Sequence, residues 1–267
     1  MSYVGRQLRE RRVFFSHEGG ALIVPLDHGL TLGPIQGMRS TNDLAEWIGS
    51  RHIGAVLGHK GLIERLILRD MLHPNTGVIV HLNGMPNLAS TTDTKVMVAS
   101  IESALRLGAD AVSLQVNFTH DNFAHNFVML GEVTDAAHAV GLPVLTMLYD
   151  KVRSPTPVER IARIQHLVRA VTELGSDAIK LAFPESARDL VELVSCHGPD
   201  VHILFAGGEK MSEETLLSTT RAAMRRGARG LCVGRNVFQH PQPLALLEKL
   251  SECLKSEAEV AAELDLA

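Results

Sequence analysis

From residue 21 onward, short apolar runs rich in β-branched residues alternate with longer segments whose apolar positions recur every three to four residues. Runs of the first kind suit strands buried on both faces, and segments of the second kind suit amphipathic helices. The apolar runs predict strands over residues 21–27, 53–58, 77–82, 111–116, 143–149, 177–182, 201–206 and 230–234. Between them, TNDLAEWIGS, LIERLILRDML, KVMVASIESALRLG, NFVMLGEVTDAAHAVG, PVERIARIQHLVRAVTELG, ESARDLVELVSC and EETLLSTTRAAMRRG predict helices, as does PLALLEKLSECLKS after the last strand. Thr156, Pro157 and Glu159 form a capping-box pattern, and Gly108, Gly141, Gly175 and Gly227 stand where helices should stop.

Eight strand–helix units in this length predict a single-domain α/β fold, a closed (β/α)8 TIM barrel, because parallel strands need helical crossovers and closure removes exposed edges. The expected organisation is an N-terminal helical extension over 1–20, the barrel over 21–255 and an acidic tail over 256–267. An open doubly wound sheet is the rival architecture, but no GxGxxG follows the first strand.

Composition narrows the class further. The 267 residues are 45% hydrophobic and 21% charged, enough for one large core. A net charge of −4 gives no global basic field for nucleic acid, and Arg6, Arg9, Arg11 and Arg12 read as a solvated helix face. Cys196, Cys232 and Cys253 lie far apart with no CxxC, which favours a reducing, cytoplasmic setting over a disulfide framework. No stretch has the length of a membrane span, so no membrane partner is expected.

In a barrel of this type the active site lies at the C-terminal ends of the strands. Those ends carry Asp27-His28-Gly29, His59-Lys60, His81 and Asn83, Gln115 and Asn117, Tyr149-Asp150, Gly207-Gly208-Glu209-Lys210 and Gly234-Arg235-Asn236. Lys180 differs by lying within its strand, in DAIKLAF. Its stem could snorkel outward between helices, but the pleat puts it on one face with Ala178 and Ala182, which leave space around an inward amine. An ordinary lysine is neutral in only about one molecule in 10^3 at pH 7, and burial lowers the pKa, so an inward Lys180 is expected to be uncharged and a Schiff-base candidate. Tyr149 and Asp27 are the phenol and carboxylate available for the accompanying proton transfers.

Gly207 and Gly208 after strand seven, and Gly234 after strand eight, suit a phosphate cradle with Lys210 and Arg235 adding charge. The rival chemistry is a metal centre on His28, His59 and His81, at three adjacent strand ends; without HxH or HExxH spacing, no metal and no cofactor is the expectation. A phosphate-binding barrel without turnover is a further alternative. Met38, Met85 and Met147 read as packing.

The segments VPLDHGLTLGPIQGM, AVLGHKGLI, GADAVSLQVN, AGGEK and GLCVGRNVFQHP, with Lys180 in the sixth strand, occur in an order that resembles the DhnA/FbaB-type class I aldolases over about residues 21–250. Within that group the pattern is similar to the 2-amino-3,7-dideoxy-D-threo-hept-6-ulosonate synthases, with fructose-bisphosphate aldolase as the alternative. The resemblance implies Lys180 as Schiff-base nucleophile and Tyr149 and Asp27 as acid/base groups. It places the Gly207-Gly208 and Gly234-Arg235 loops at the substrate's phosphate, and His28 and Lys210, at the same strand ends, are further substrate-binding candidates. It also implies a phosphorylated ketone donor, an aldehyde acceptor and a homo-oligomer. One departure bears on the acceptor: Tyr149-Asp150-Lys151-Val152 stands where such aldolases commonly read Tyr-Pro-Arg-Gly.

Overall fold

A computed structural model describes residues 2–16, 19–184 and 186–255. Its barrel strands are β1 (Gly19–Pro25), β2 (Ala55–His59), β3 (Gly77–His81), β4 (Ala111–Phe118), β5 (Val144–Asp150), β6 (Ala178–Ala182), β7 (His202–Ala206) and β8 (Gly230–Cys232). Each pairs in parallel with the next, and the ring closes where β8 meets β1 at Leu231↔Leu22. The closed barrel is therefore present, and the open-sheet rival falls away.

The helices are α1 (Ser2–Phe14), α2 (His28–Leu32), α3 (Lys60–Leu68), α4 (Ile101–Arg106), α5 (Phe123–Ala139), α6 (Pro157–Glu173), α7 (Ala187–His197), α8 (Glu213–Met224), α9 (Arg235–Phe238) and α10 (Pro243–Leu254). The capping box forms as expected: Thr156 Oγ1 accepts from Glu159 N at 3.2 Å, and Glu159 Oε2 accepts from Thr156 N at 3.3 Å. Gly108, Gly141, Gly175 and Gly227 all take positive φ at helix ends.

One expected helix is absent. TNDLAEWIGS forms only a 3-10 turn over Thr41–Leu44, because Ser40 Oγ accepts from Asn42 N and Asp43 Oδ2 accepts from Arg39 N, drawing the backbone into local side-chain bonds. Strand ends also shift. β1 stops at Pro25, so Asp27 lies beyond it as the residue leading into α2, and β8 stops at Cys232. The expected acidic tail lies outside the described residues.

Alternation along each strand divides the apolar residues into two layers. Val24, Val56, Val112, Ile179 and Phe205 face the helices, whereas Ile23, Leu57, Ile79, Leu145, Met147, Ala178, Leu204 and Cys232 fill the barrel with Val13 and Phe14 of α1. The basic face of α1 is not merely solvated: Arg9 donates to Gly141 O at 2.9 Å, Arg12 lies 3.2 Å from Asp110 and Arg6 lies 3.6 Å from Asp177. These anchors precede β4, β5 and β6, so α1 is strapped across the N-terminal end of the cylinder. Phe14, fully buried there, packs 5.8 Å from the His202 ring. Phe14→Ala should cost about 3–5 kcal/mol of stability by leaving a cavity, read from denaturant unfolding. Among the described residues, no helix is long and apolar enough to cross a membrane.

Candidate active site

The strand that carries Lys180 lies between β5 and β7, with Lys180 paired in register to Met147 and Leu204. Its pleat parity with inward-facing Ala178 turns the side chain into the barrel, where it is 7% exposed and its Nζ sits 3.9 Å from Met147 Sδ. The expected inward orientation holds, but the expected ionisation is reversed. Burial alone would depress the amine; Cys232, Tyr149 and Asp27 outweigh it and raise the pKa above the ordinary lysine value. Lys180 thus rests as an ammonium in spite of its dry surroundings, held there by the groups around it. Burial pushes the neighbouring Cys232 thiol up to about 11, so it is protonated at neutral pH.

Beyond the end of β1, Asp27 reaches over the mouth. Its Oδ1 lies 3.7 Å from His28 Nδ1 and its Oδ2 3.9 Å from His81 Nε2. Burial would raise its pKa, but His81, His28, Lys180 and His59 together bring it down to about 2. His81 is held the opposite way: burial dominates over the attraction of Asp27 and lowers it to about 3. Its Nδ1 pairs with Ser113 Oγ at 2.8 Å. A neutral ring accepting there from the Ser113 hydroxyl turns its N–H toward Asp27. The site therefore holds a fixed carboxylate, a neutral imidazole and an ammonium in one group.

Tyr149, next to last in β5, stands opposite Asn117 of β4, and Lys151 Nζ lies 5.8 Å from the centre of its ring. The loop that departs from the expected pattern is firmly tied: Asp150 accepts two bonds from Arg163, at 2.7 and 2.9 Å, and one from Val152 N. Its acid is thus engaged with α6 and leaves Lys151 at the mouth.

On the opposite rim, the turns after β7 and β8 interlock. Asn236 donates to Gly207 O at 3.1 Å and Glu209 O at 3.3 Å and accepts from Met211 N at 2.9 Å, while Arg235 donates to Gly208 O at 2.8 Å. A Cβ at Gly207 would come within 2.6 Å of Asn236 Nδ2, and one at Gly234 within 2.7 Å of His28 Cε1. Glycine is required there by close approach, and it joins the two turns to His28. The buried Arg235 Nε makes no hydrogen bond, nor do His28 Nδ1 and His59 Nδ1, leaving hydrogen-bonding capacity for a ligand. Lys210 is exposed and donates to Gln239 O at 3.4 Å, at the end of α9.

His28, His59 and His81 gather around Asp27 but are engaged with other rings. His28 packs edge-on against Phe238, while His59 packs against His81 at 5.1 Å. No cluster of three or more His, Cys, Asp or Glu side chains suited to a metal occurs among the described residues.

Ser113, Asp93 and Lys95 were not anticipated, whereas Asn236 stood among the polar groups expected at the strand ends. Ser113 was accessible to pleat parity, two residues after inward-facing Ala111. Lys95 opens the stretch expected to be helical, but the helix begins only at Ile101, and Asp93 lies just before that stretch, so neither stood out as a site residue.

The model of the DeoC/LacD family of aldolases matches residues 21–240. A 2-amino-3,7-dideoxy-D-threo-hept-6-ulosonate synthase of Halobacterium salinarum is 33% identical over 99% of this chain and 97% of its own length. A 2-amino-4,5-dihydroxy-6-oxo-7-(phosphonooxy)heptanoate synthase of Streptomyces griseus is 31% identical over 93% of this chain and 90% of its own. Among solved structures, a Schiff-base-forming fructose-1,6-bisphosphate aldolase superposes with a TM-score of 0.80 at 25% identity, covering 93% of this chain and 99% of that one.

Proposed function

Because the chain belongs to the DeoC/LacD family of aldolases, we propose that it joins a phosphorylated ketone to an aldehyde through an imine on Lys180. The observation that carries this reading is an inward lysine at the barrel mouth, beneath Asp27 and beside Tyr149.

The donor is a dihydroxyacetone phosphate-type ketone. Its phosphate is assigned to the Gly207-Gly208 and Gly234-Arg235 turns, where small residues admit the ligand and Arg235 supplies charge. Attack on the carbonyl requires Lys180 to lose its resting proton. Asp27 is the nearby ionised carboxylate and Tyr149 the nearby phenol, so they are assigned the proton movements that form and dehydrate the carbinolamine. The protonated imine then draws electrons from the adjacent carbon as its proton leaves, giving an enamine. The enamine carbon attacks the aldehyde, the new alkoxide takes a proton, and water releases the product and restores the lysine.

The name of the Streptomyces relative's product describes seven carbons with an amine, a carboxylate and a phosphate. A three-carbon ketone phosphate and a four-carbon amino acid semialdehyde account for all of these. The same pair is the reading adopted for this chain, acting as a homo-oligomer in the cytoplasm without a metal or cofactor.

Incubation with dihydroxyacetone phosphate and borohydride should leave a reduced adduct on Lys180, located by peptide mass, and chelation beforehand should not prevent it. An unlabelled protein, or activity abolished by chelation and restored by a divalent metal, would overturn the mechanism.

A further inference from the structure

We infer that Lys95 and Asp93, on the segment between β3 and α4, select the acceptor: Lys95 takes its carboxylate and Asp93 its ammonium, fitting an α-amino acid semialdehyde. This rests on the aldolase reading above and adds the residues that recognise the second substrate.

Lys95 is only 4% exposed, yet its Nζ makes a single hydrogen bond, at 3.4 Å to Met85 O, and no carboxylate lies within ion-pair distance of it among the described residues. Burying an ammonium without a counter-charge is costly, and an ammonium has three donors, so the site is incomplete without an anion. The amine stands at the mouth, close enough to His59, His81 and Asp27 to act on their charges. Burial lowers its own pKa, with Asp93 opposing that effect.

Two residues away, Asp93 Oδ1 accepts from Asn117 Nδ2 at 3.1 Å and lies 3.6 Å from Lys151 Nζ, the amine that stands over the Tyr149 ring. Asp93 is thus tied to the site through Tyr149, while its side chain remains 40% exposed and open to a ligand. The backbone is fastened on both sides: Asn122 donates to Asp93 O at 3.4 Å, and the His125 ring bonds Lys95 O at 2.7 Å. A segment held this way presents both charges without first being ordered, so binding loses little conformational freedom.

The pairing of signs distinguishes the ligands. A second phosphate would meet Asp93 as a like charge, whereas an amino acid end carries one charge of each sign on neighbouring groups. The glycine turns on the opposite rim take the donor's phosphate, so the acceptor's polar end is left to this segment.

With dihydroxyacetone phosphate as donor, kcat/KM is to be compared for aspartate semialdehyde, succinate semialdehyde, glyceraldehyde 3-phosphate and uncharged propionaldehyde. In Lys95→Gln, the ratio of either carboxylated aldehyde to propionaldehyde should fall about 10- to 100-fold, the worth of one charge-assisted bond, and Lys95→Arg should recover part of it. Asp93→Asn should lower the preference for aspartate semialdehyde over succinate semialdehyde. Equal losses on charged and uncharged aldehydes in both Lys95 variants would mean that the lysine only holds the loop, and would overturn the assignment. So would a wild-type preference for glyceraldehyde 3-phosphate. Failure of the wild-type protein to form the borohydride adduct would instead remove the aldolase reading beneath it.

Discussion

Replacing Lys180 by methionine should lower kcat/KM for carbon–carbon bond formation by at least about 10^4-fold and abolish the borohydride adduct, because the neighbouring Cys232 thiol, protonated at neutral pH, cannot form an imine in its place. The substitution suits the site. Methionine approximates the length of the lysine stem, Ala178 on the same face leaves room for it, and the side chain already lies against Met147. Thermal unfolding should show no loss of stability, since an apolar group replaces an ammonium within a dry enclosure. Loss of activity with an unchanged melting temperature therefore reports chemistry. A variant that kept turnover would displace Lys180 from the reaction.

Asp27→Asn should reduce turnover about 10^2- to 10^4-fold, the range expected for removal of a proton-transfer group. Its second effect has a definite sign. The native carboxylate, with its pKa at about 2, is ionised throughout the working pH range and helps to hold the proton on Lys180. Asparagine removes that negative charge, so the ammonium should release its proton at lower pH. Plotted against pH, donor-dependent borohydride labelling should rise earlier in the variant than in the native enzyme, even as turnover falls. His81 loses its principal anionic neighbour as well, and remains neutral because burial is already the larger influence on it. A pH profile displaced upward, or not at all, would show that Asp27 does not govern the amine.

The barrel was legible because a strand covered on both faces reads as an unbroken apolar run, and helices that end on glycine mark the intervals between such runs. Lys180 was legible for a related reason: alternation along DAIKLAF determines which side a residue occupies once its strand is located. Its charge was not legible. That depends on Cys232 from β8, Tyr149 from β5 and Asp27 beyond β1, none of them near it in the chain. The segment at residues 41–50 misled because apolar spacing suggested a helix while Ser40 and Asp43 favoured local turns. Asp93 precedes, and Lys95 opens, a stretch whose spacing suggested a helix that in fact starts only at Ile101. They are positioned by Asn117, Asn122 and His125, contacts that exist only once β4 and α5 have been brought beside them.

Phe14 and its helix cork the cylinder at the end remote from Asp27. A molecule held at Lys180 consequently arrives and departs by one doorway. The second reactant must use that doorway too, so it meets the enamine from the side on which the first one entered.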